Sequence, residues 1–370
     1  MALSGYLQGI KGITLPLVKN SFNISYENQG ILVLMIYLVS VAASIGVGII
    51  INRWGLRRNL FLAYLFMMIT MGAFFRAGSF PFAAGLILLF QTGLSSYDLG
   101  LNSLGVKTFT VKSSLMLNLQ HFFFGLGSII APLAAGQIAS RMSGDWRFIY
   151  VFSLLPVFLF FFSVFAVPPG KTQKTGAAGL GYWQVMKQPL VLRFGIILGI
   201  SGIVESATVN WGALYLQDLY GFDPEITGAR FVSAFFVLFT LARLFGGFFT
   251  EKFGPFRVLL FAAAAIPAIL AAGFLLGPLS LWVLPATGIV AGLLWPTMLS
   301  ASMGIFKENA QRVLNNLVVI SLAVNGINMF LMGLINRFIG AAWGYRSSLV
   351  ISLLFLFLLA RLYRTVRRKA

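Results

Sequence analysis

Residues 48–58 read GIIINRWGLRR, and 199 positions further on residues 247–257 read GFFTEKFGPFR. Five positions correspond at that single offset: Gly48 with Gly247, Asn52 with Glu251, Arg53 with Lys252, Gly55 with Gly254, and Arg58 with Arg257. The same offset relates Gly93 to Gly292 and Gly127 to Gly326. With 39 glycines in the chain, isolated glycine matches are cheap. A five-position match inside one short loop is not, and it divides the chain into two related halves. Each copy lies just past a long apolar run, and those runs determine the class of protein.

Hydrophobic residues make up 59% of the 370 positions and charged residues only 10%, against about 25% charged in a typical soluble domain. One water-soluble core cannot bury that excess, so lipid is the solvent. A membrane helix needs about 20 mostly apolar residues. Twelve stretches qualify, near 1–19, 29–51, 59–76, 80–105, 114–137, 146–167, 191–216, 225–250, 256–276, 281–304, 313–338 and 343–364. The expected fold is an all-α membrane protein of twelve transmembrane helices in two pseudo-symmetric six-helix bundles. A Gly-, Pro-, Lys- and Thr-rich stretch reads as the linker between them. The expected organisation is a bundle over 1–168, a cytoplasmic linker over 169–190, and a second bundle with a short basic tail over 191–370.

Lys and Arg set the orientation. With both termini inside, 19 of the 27 fall on the inner side, Arg243 among them, and 7 on the outer side, with Lys11 inside the first span. That bias predicts an N-in, C-in arrangement. The net charge of +18 is spread between apolar runs rather than gathered in a patch, which argues against nucleic acid as a partner. The absence of cysteine and the single histidine, His121, exclude disulfides and a zinc centre. No nucleophile–base pair, phosphate loop or cofactor motif suggests an enzyme. No cleavable leader or organelle address is visible. The expected setting is a bacterial cytoplasmic membrane, as a monomer. Arg364, Arg367, Arg368 and Lys369 would lie against anionic lipid headgroups.

Polar groups inside apolar spans mark function by default. Three ionisable acids and bases fall well inside: Lys11, Asp98 and Glu205, in spans 1, 4 and 7. Each sits on a stripe at helical spacing: Ser4, Gln8 and Lys11; Gln91, Ser95, Asp98 and Asn102; Ser201, Glu205 and Thr208. Span 11 adds Ser321, Asn325 and Asn328, and span 5 adds Asn118 and His121. The stripes predict a wet central cavity. Gln8, Lys11, Gln91, Asn102, Trp211, Trp295, Asn325 and Asn328 are the candidate substrate-binding residues, and Asp98 and Glu205 the candidate proton carriers. Lys11 either pairs with a carboxylate or binds an anionic or hydroxylated solute. The three charges sum to one net negative, so one carboxylate is expected to lack a lysine and to take up a proton or a sodium ion. His121, beside three phenylalanines, is expected to be a hydrogen-bonded packing residue.

The duplicated loop resembles the signature loop of the major facilitator superfamily, G-x-x-x-[D/N/E]-[R/K]-x-G-x-x-R. The resemblance covers essentially the whole chain. It implies secondary transport by alternating access, spans 1, 4, 7 and 10 lining the cavity, and loop residues that help latch the halves. Loop glycines would let helices approach closely. Asn52 departs from the usual aspartate and carries no charge. Residues 93–102, GLSSYDLGLN, together with Glu205, Trp211 and GLLWPTMLS over 292–300, look like the fucose–proton symporter branch. That branch has an acidic residue in span 1 where this chain has Lys11, which shifts the expected solute toward a sugar acid, carboxylate or peptide-like molecule. Residues 127–136, GSIIAPLAAG, are similar to the drug–proton antiporter motif. Efflux, or movement of a lipid or other amphiphile, is the alternative.

Overall fold

Gly55 and Gly254 each form a one-residue turn between two long helices. Gly55 has φ 90° and ψ 161°, and Gly254 has φ 82° and ψ 150°. A side chain is strongly disfavoured in that region of backbone space. The sequence repeat is therefore also a repeat of backbone geometry. Gly48 and Gly247 behave differently, because a Cβ added at either would meet nothing within 4 Å. The close helix approach expected of the loop glycines does not occur at these two.

The computed structural model describes residues 1–108, 113–168, 182–306 and 310–368. Of residues 52, 106–107, 113–118, 182–183 and 310–312 the backbone alone is described. Most of the expected linker, Lys112 and Lys307 thus lie outside the described residues, and so do the side chains of Asn52, Lys107, Asn118 and Arg312. Among the described residues the chain is helical, with no strand. In order come α1 (Ala2–Gly9), α2 (Lys11–Phe22), α3 (Tyr26–Trp54), α4 (Leu56–Ala73), α5 (Phe80–Thr108), α6 (Ser113–Arg141), α7 (Arg147–Phe161) and α8 (Tyr182–Met186). They are followed by α9 (Pro189–Ser201), α10 (Ile203–Tyr220), α11 (Ala229–Phe253), α12 (Pro255–Leu275), α13 (Ser280–Val283), α14 (Thr287–Ile305), α15 (Ala310–Phe338) and α16 (Trp343–Arg367).

Eleven segments of the described residues are long and apolar enough to cross a membrane, where the sequence led to twelve. The difference lies in the first span. Its two helices, of 8 and 12 residues, meet at Ile10, and its polar Ser4, Gln8, Lys11 and Lys19 leave it less apolar than the other eleven. The seventh span is broken in the same manner at Gly202, between α9 and α10. The outward faces are apolar, with Leu155, Leu159, Phe248 and Val350 each at least 62% exposed. Such a surface suits lipid, and helices satisfy their own backbone there.

Helix packing recurs between the two halves. The pairs α1–α6, α3–α5, α4–α5 and α4–α7 are matched by α9–α15, α11–α14, α12–α14 and α12–α16. The earlier and later helices meet along α3–α15, α6–α11 and α2–α10. Many of these contacts gather at the end opposite Gly55 and Gly254. There the Tyr26 hydroxyl donates to Asp218 Oδ2 at 2.6 Å, Asn20 Nδ2 donates to Gln217 Oε1 at 3.4 Å, and Glu27 pairs with Arg337. A Cβ on Gly136 of α6 would collide with the Glu225 carbonyl just before α11. One end of the molecule is thereby held shut.

Candidate functional site

Broken helices bring charge to the middle of the molecule. Lys11 follows directly on the interruption at Ile10, and Glu205 lies three residues after Gly202. Asn325 of α15 packs over Gly202, where a Cβ would stand 2.8 Å from its Nδ2. Discontinuous helices of this kind frame solute sites in lipid-embedded transporters, since irregular backbone is tolerated where it faces a cavity.

Between the helices lies a cavity of about 300 Å³. Gln8 and Lys11 line it from α1 and α2, Gln91, Ser95, Asp98 and Asn102 from α5, and Glu205, Ser206 and Asn210 from α10. Trp295 comes from α14, and Phe124 and Phe236 from α6 and α11. Tyr37, Ser40 and Ser44 line it from α3. The spacing of these three matches the stripes that identified the other helices, so the same helical rule finds them in the sequence.

One hydrogen-bonded chain runs through the α1–α2–α5 side. Ser4 donates to Asp98 Oδ1, Gln8 Nε2 donates to Asp98 Oδ2 at 2.9 Å, and Lys11 Nζ donates to Gln8 Oε1. Lys11 also reaches Gln91 Oε1 at 3.3 Å, and Gln91 Nε2 donates to the hydroxyls of Ser40 and Ser95 at 2.9 and 3.1 Å. On the other side, Tyr37 donates to Ser206 at 2.8 Å and Asn210 donates to the Ser206 carbonyl at 2.7 Å. Glu205 accepts no hydrogen bond from a described residue. Its charged neighbours are Arg243 and Lys11.

Arg243 is not the inner-side loop cation that the charge bias implies. It lies within α11, four residues past Phe239, and its guanidinium stands 4.1 Å over the Phe239 ring. Its Nε is buried without a partner. The central charged side chains are therefore four, Lys11 and Arg243 against Asp98 and Glu205, and these side chains sum to zero rather than to one net negative. No Lys11 or Arg243 nitrogen lies within 4.0 Å of a carboxylate oxygen of a described residue. Among the described residues the ion pairs are Arg147–Asp145 and Arg337–Glu27.

Other expected site residues sit elsewhere. Trp211 is 1% exposed, with its ring 6.5 Å from that of Tyr26 toward the closed end. Asn325 and Asn328 donate to the Ser321 and Val324 carbonyls of their own helix at 3.2 and 2.9 Å and do not line the cavity. His121 makes no hydrogen bond to a described residue and has Arg243 as its charged neighbour. At the other end, Arg53, Arg58, Glu251, Lys252 and Arg257 are exposed, and none of them forms an ion pair with a described residue. No group of His, Cys, Asp and Glu among the described residues is arranged to hold a metal.

A twofold helical repeat in lipid, closed at one end around a small charged cavity, is the architecture of a secondary transporter. The sequence profile of the Major Facilitator Superfamily matches residues 1–318, and the chain belongs to that family. An uncharacterised MFS-type transporter of Yersinia pestis is 22% identical over 247 residues, which are 66% of this chain and 62% of that relative. The chain thus spans about three fifths of that relative's length. A probable nitrate/nitrite antiporter of Thermus thermophilus is 27% identical over 42% of this chain and 35% of its own. Among solved structures, a bacterial homologue of the human lysosomal transporter Spinster, inward-facing and unoccupied, has a TM-score of 0.74 at 18% identity, over 99% of this chain and 96% of that one. FucP in the outward conformation has a TM-score of 0.66 at 15% identity, over 98% and 97% of the two chains. At these identities the likeness to solved structures is one of fold.

Proposed function

We propose that this chain carries a small polar or anionic solute (a sugar acid, carboxylate or peptide-like molecule) by alternating access, coupled to protons. The observation that carries the reading is the cavity itself. It is lined by Lys11 and Asp98 from one repeat and Glu205 from the other, so rocking of the repeats about it would carry solute and charge together. Its volume of about 300 Å³ is at the small end of ligand pockets and favours a compact metabolite. Two carboxylates facing a low-dielectric site are suited to bind a proton, or a sodium ion, during the cycle. The orientation goes with the reading: N-in and C-in, in a bacterial cytoplasmic membrane, with bundles over 1–168 and 191–370.

The efflux alternative drew on the small residues of 127–136. Gly127 abuts the Ala2 carbonyl and Gly136 abuts the Glu225 carbonyl, so helix packing accounts for both. The test is uptake into proteoliposomes with an imposed pH gradient. The panel would hold sugars, sugar acids, carboxylates, dipeptides and cationic drugs. Accumulation of a polar metabolite that collapses with the gradient is the expected result. Transport confined to lipophilic cations, in exchange for protons, would replace this reading with efflux.

A further inference from the structure

Arg243 lies on α11 beyond the cavity wall, with its guanidinium over the Phe239 ring. Phe236 lines the cavity, and Arg243 follows it by seven residues, two turns further along the same face. At the 199-residue offset its counterpart is Ser44, which lines the cavity from α3. Its guanidinium makes no hydrogen bond to a described residue, and its Nε is buried. Lys11 is held by neutral amide oxygens of Gln8 and Gln91 rather than by a carboxylate. Two cations from opposite repeats are thus the charged neighbours of Glu205, which lines the cavity, and neither is paired at contact distance with a carboxylate of a described residue.

The two carboxylates are held differently. Asp98 accepts hydrogen bonds from Ser4 and Gln8. Glu205 accepts from no described residue. The charged and titratable groups that face it are Arg243 on α11, Lys11 on α2 and Tyr37 on α3. Tyr345 on α16 is engaged one turn away with Thr208 at 3.0 Å. His121 on α6 stands behind, beside Arg243.

We propose that Arg243 and Lys11 form a two-point clamp for a small oxyanion such as a carboxylate, and that Glu205 takes up a proton when the anion arrives. The inference rests on the transport reading above and specifies its substrate and stoichiometry. The four central side-chain charges sum to zero, so a bound monoanion adds one unit of negative charge to their low-dielectric site. A proton on Glu205 removes it, because that carboxylate has no hydrogen-bond donor to lose. Asp98, held by two donors and bridged to Lys11, is a fixed part of the site. One monoanion and one proton then cross together, and the cycle moves no net charge.

The experiment uses the purified full chain, with lactate, pyruvate and glucuronate as anionic probes and fucose as the neutral probe. Binding is read by thermal shift at pH 5.5 and pH 8, and flux by counterflow and a trapped pH dye in proteoliposomes. Anions should bind more tightly at pH 5.5, and uptake should not respond to a valinomycin-imposed potential. Arg243→Gln and Lys11→Gln should each weaken anion binding about tenfold or more, one unit of 1.4 kcal/mol, with Arg243→Lys recovering part of the loss in a folded protein. Glu205→Gln should bind anions with little pH dependence and exchange them without proton movement. His121→Gln should retain the pH response. Transport of fucose with no response to anions, unchanged in Arg243→Gln, would overturn the clamp and leave a transporter standing. Wild-type pH dependence in Glu205→Gln would overturn the proton assignment. Anion binding without counterflow for any probe would remove the transport reading, and the coupling with it.

Discussion

Lys11 and Asp98 are joined through a single side-chain amide. Gln8 accepts from the Lys11 ammonium with its oxygen and donates to the Asp98 carboxylate with its nitrogen. The two charges face each other across one neutral group instead of closing an ion pair. An amide between opposite charges satisfies both and leaves each accessible from the cavity. A direct buried pair would be harder to part during a transport cycle.

Removing the amide should therefore cost more than removing its neighbour. Hydrogen bonds to charged groups are worth about 1.5–3 kcal/mol each, and Gln8→Ala loses two of them. Thermal unfolding in detergent should show a larger drop for Gln8→Ala than for Gln91→Ala. Equal drops would mean that the amide bridge carries no special weight.

The two repeat turns make a prediction of opposite signs. Gly55→Ala and Gly254→Ala force a side chain into a strained backbone region and should destabilise by about 1–3 kcal/mol each. Gly48→Ala has open space around the new methyl group and lies inside α3. It should be neutral or stabilising by up to about 1 kcal/mol. Melting temperatures of the three variants decide the matter.

The closed end is held by unequal contacts. The Tyr26–Asp218 hydrogen bond is charge-assisted and 2.6 Å long, and bonds of that kind are strong. The Glu27–Arg337 pair is partly exposed and should contribute at most about 1 kcal/mol. Because the chain has no cysteine, spin labels at introduced cysteines replacing Ser21 and Leu219 would report this end alone. Tyr26→Phe should broaden the label distances toward a separated state, and Glu27→Gln should change them less.

Asp223 gives a pH-dependent prediction outside the membrane-spanning segments. Partial burial pushes its carboxyl up, but hydrogen bonds from the Ile226 amide at 2.6 Å and from the Thr227 amide and hydroxyl at 3.2 and 2.8 Å outweigh that. Together they hold it below the usual carboxylate range. A lowered folded value means that the stabilisation is complete above the unfolded value of about 3.9 and fades as pH falls through the folded one. Asp223→Ala should cost about 1 kcal/mol at pH 7 as a lost helix cap, and its melting-temperature deficit should narrow below pH 4.

Much of the site was legible because a helix imposes a fixed period. Gln8, Lys11, Gln91, Asp98, Asn102 and Glu205 share faces by spacing alone, and those faces do converge on the cavity. Tyr37, Ser40 and Ser44 obey the same rule. Arg243 was lost for a different reason. Counting basic residues by side treats each one as a topology signal, and a long guanidinium inside an apolar helix looks the same as one at its end. Only its contact with the Phe239 ring and its nearness to Glu205 separate the two cases.

Composition, the repeat at 199 residues and helical periodicity determined that this chain lives in lipid, that it is duplicated, and that each repeat carries its polar groups on single helix faces. They do so because burial of apolar surface and the 3.6-residue turn act locally, within one helix. The tertiary structure alone decided which faces meet. Trp211 is enclosed against Tyr26 rather than facing the cavity, Asn325 packs over the break at Gly202, and Gln8 stands between Lys11 and Asp98. Those outcomes depend on the rotation and neighbours of each helix, which are set by packing between segments far apart in the chain.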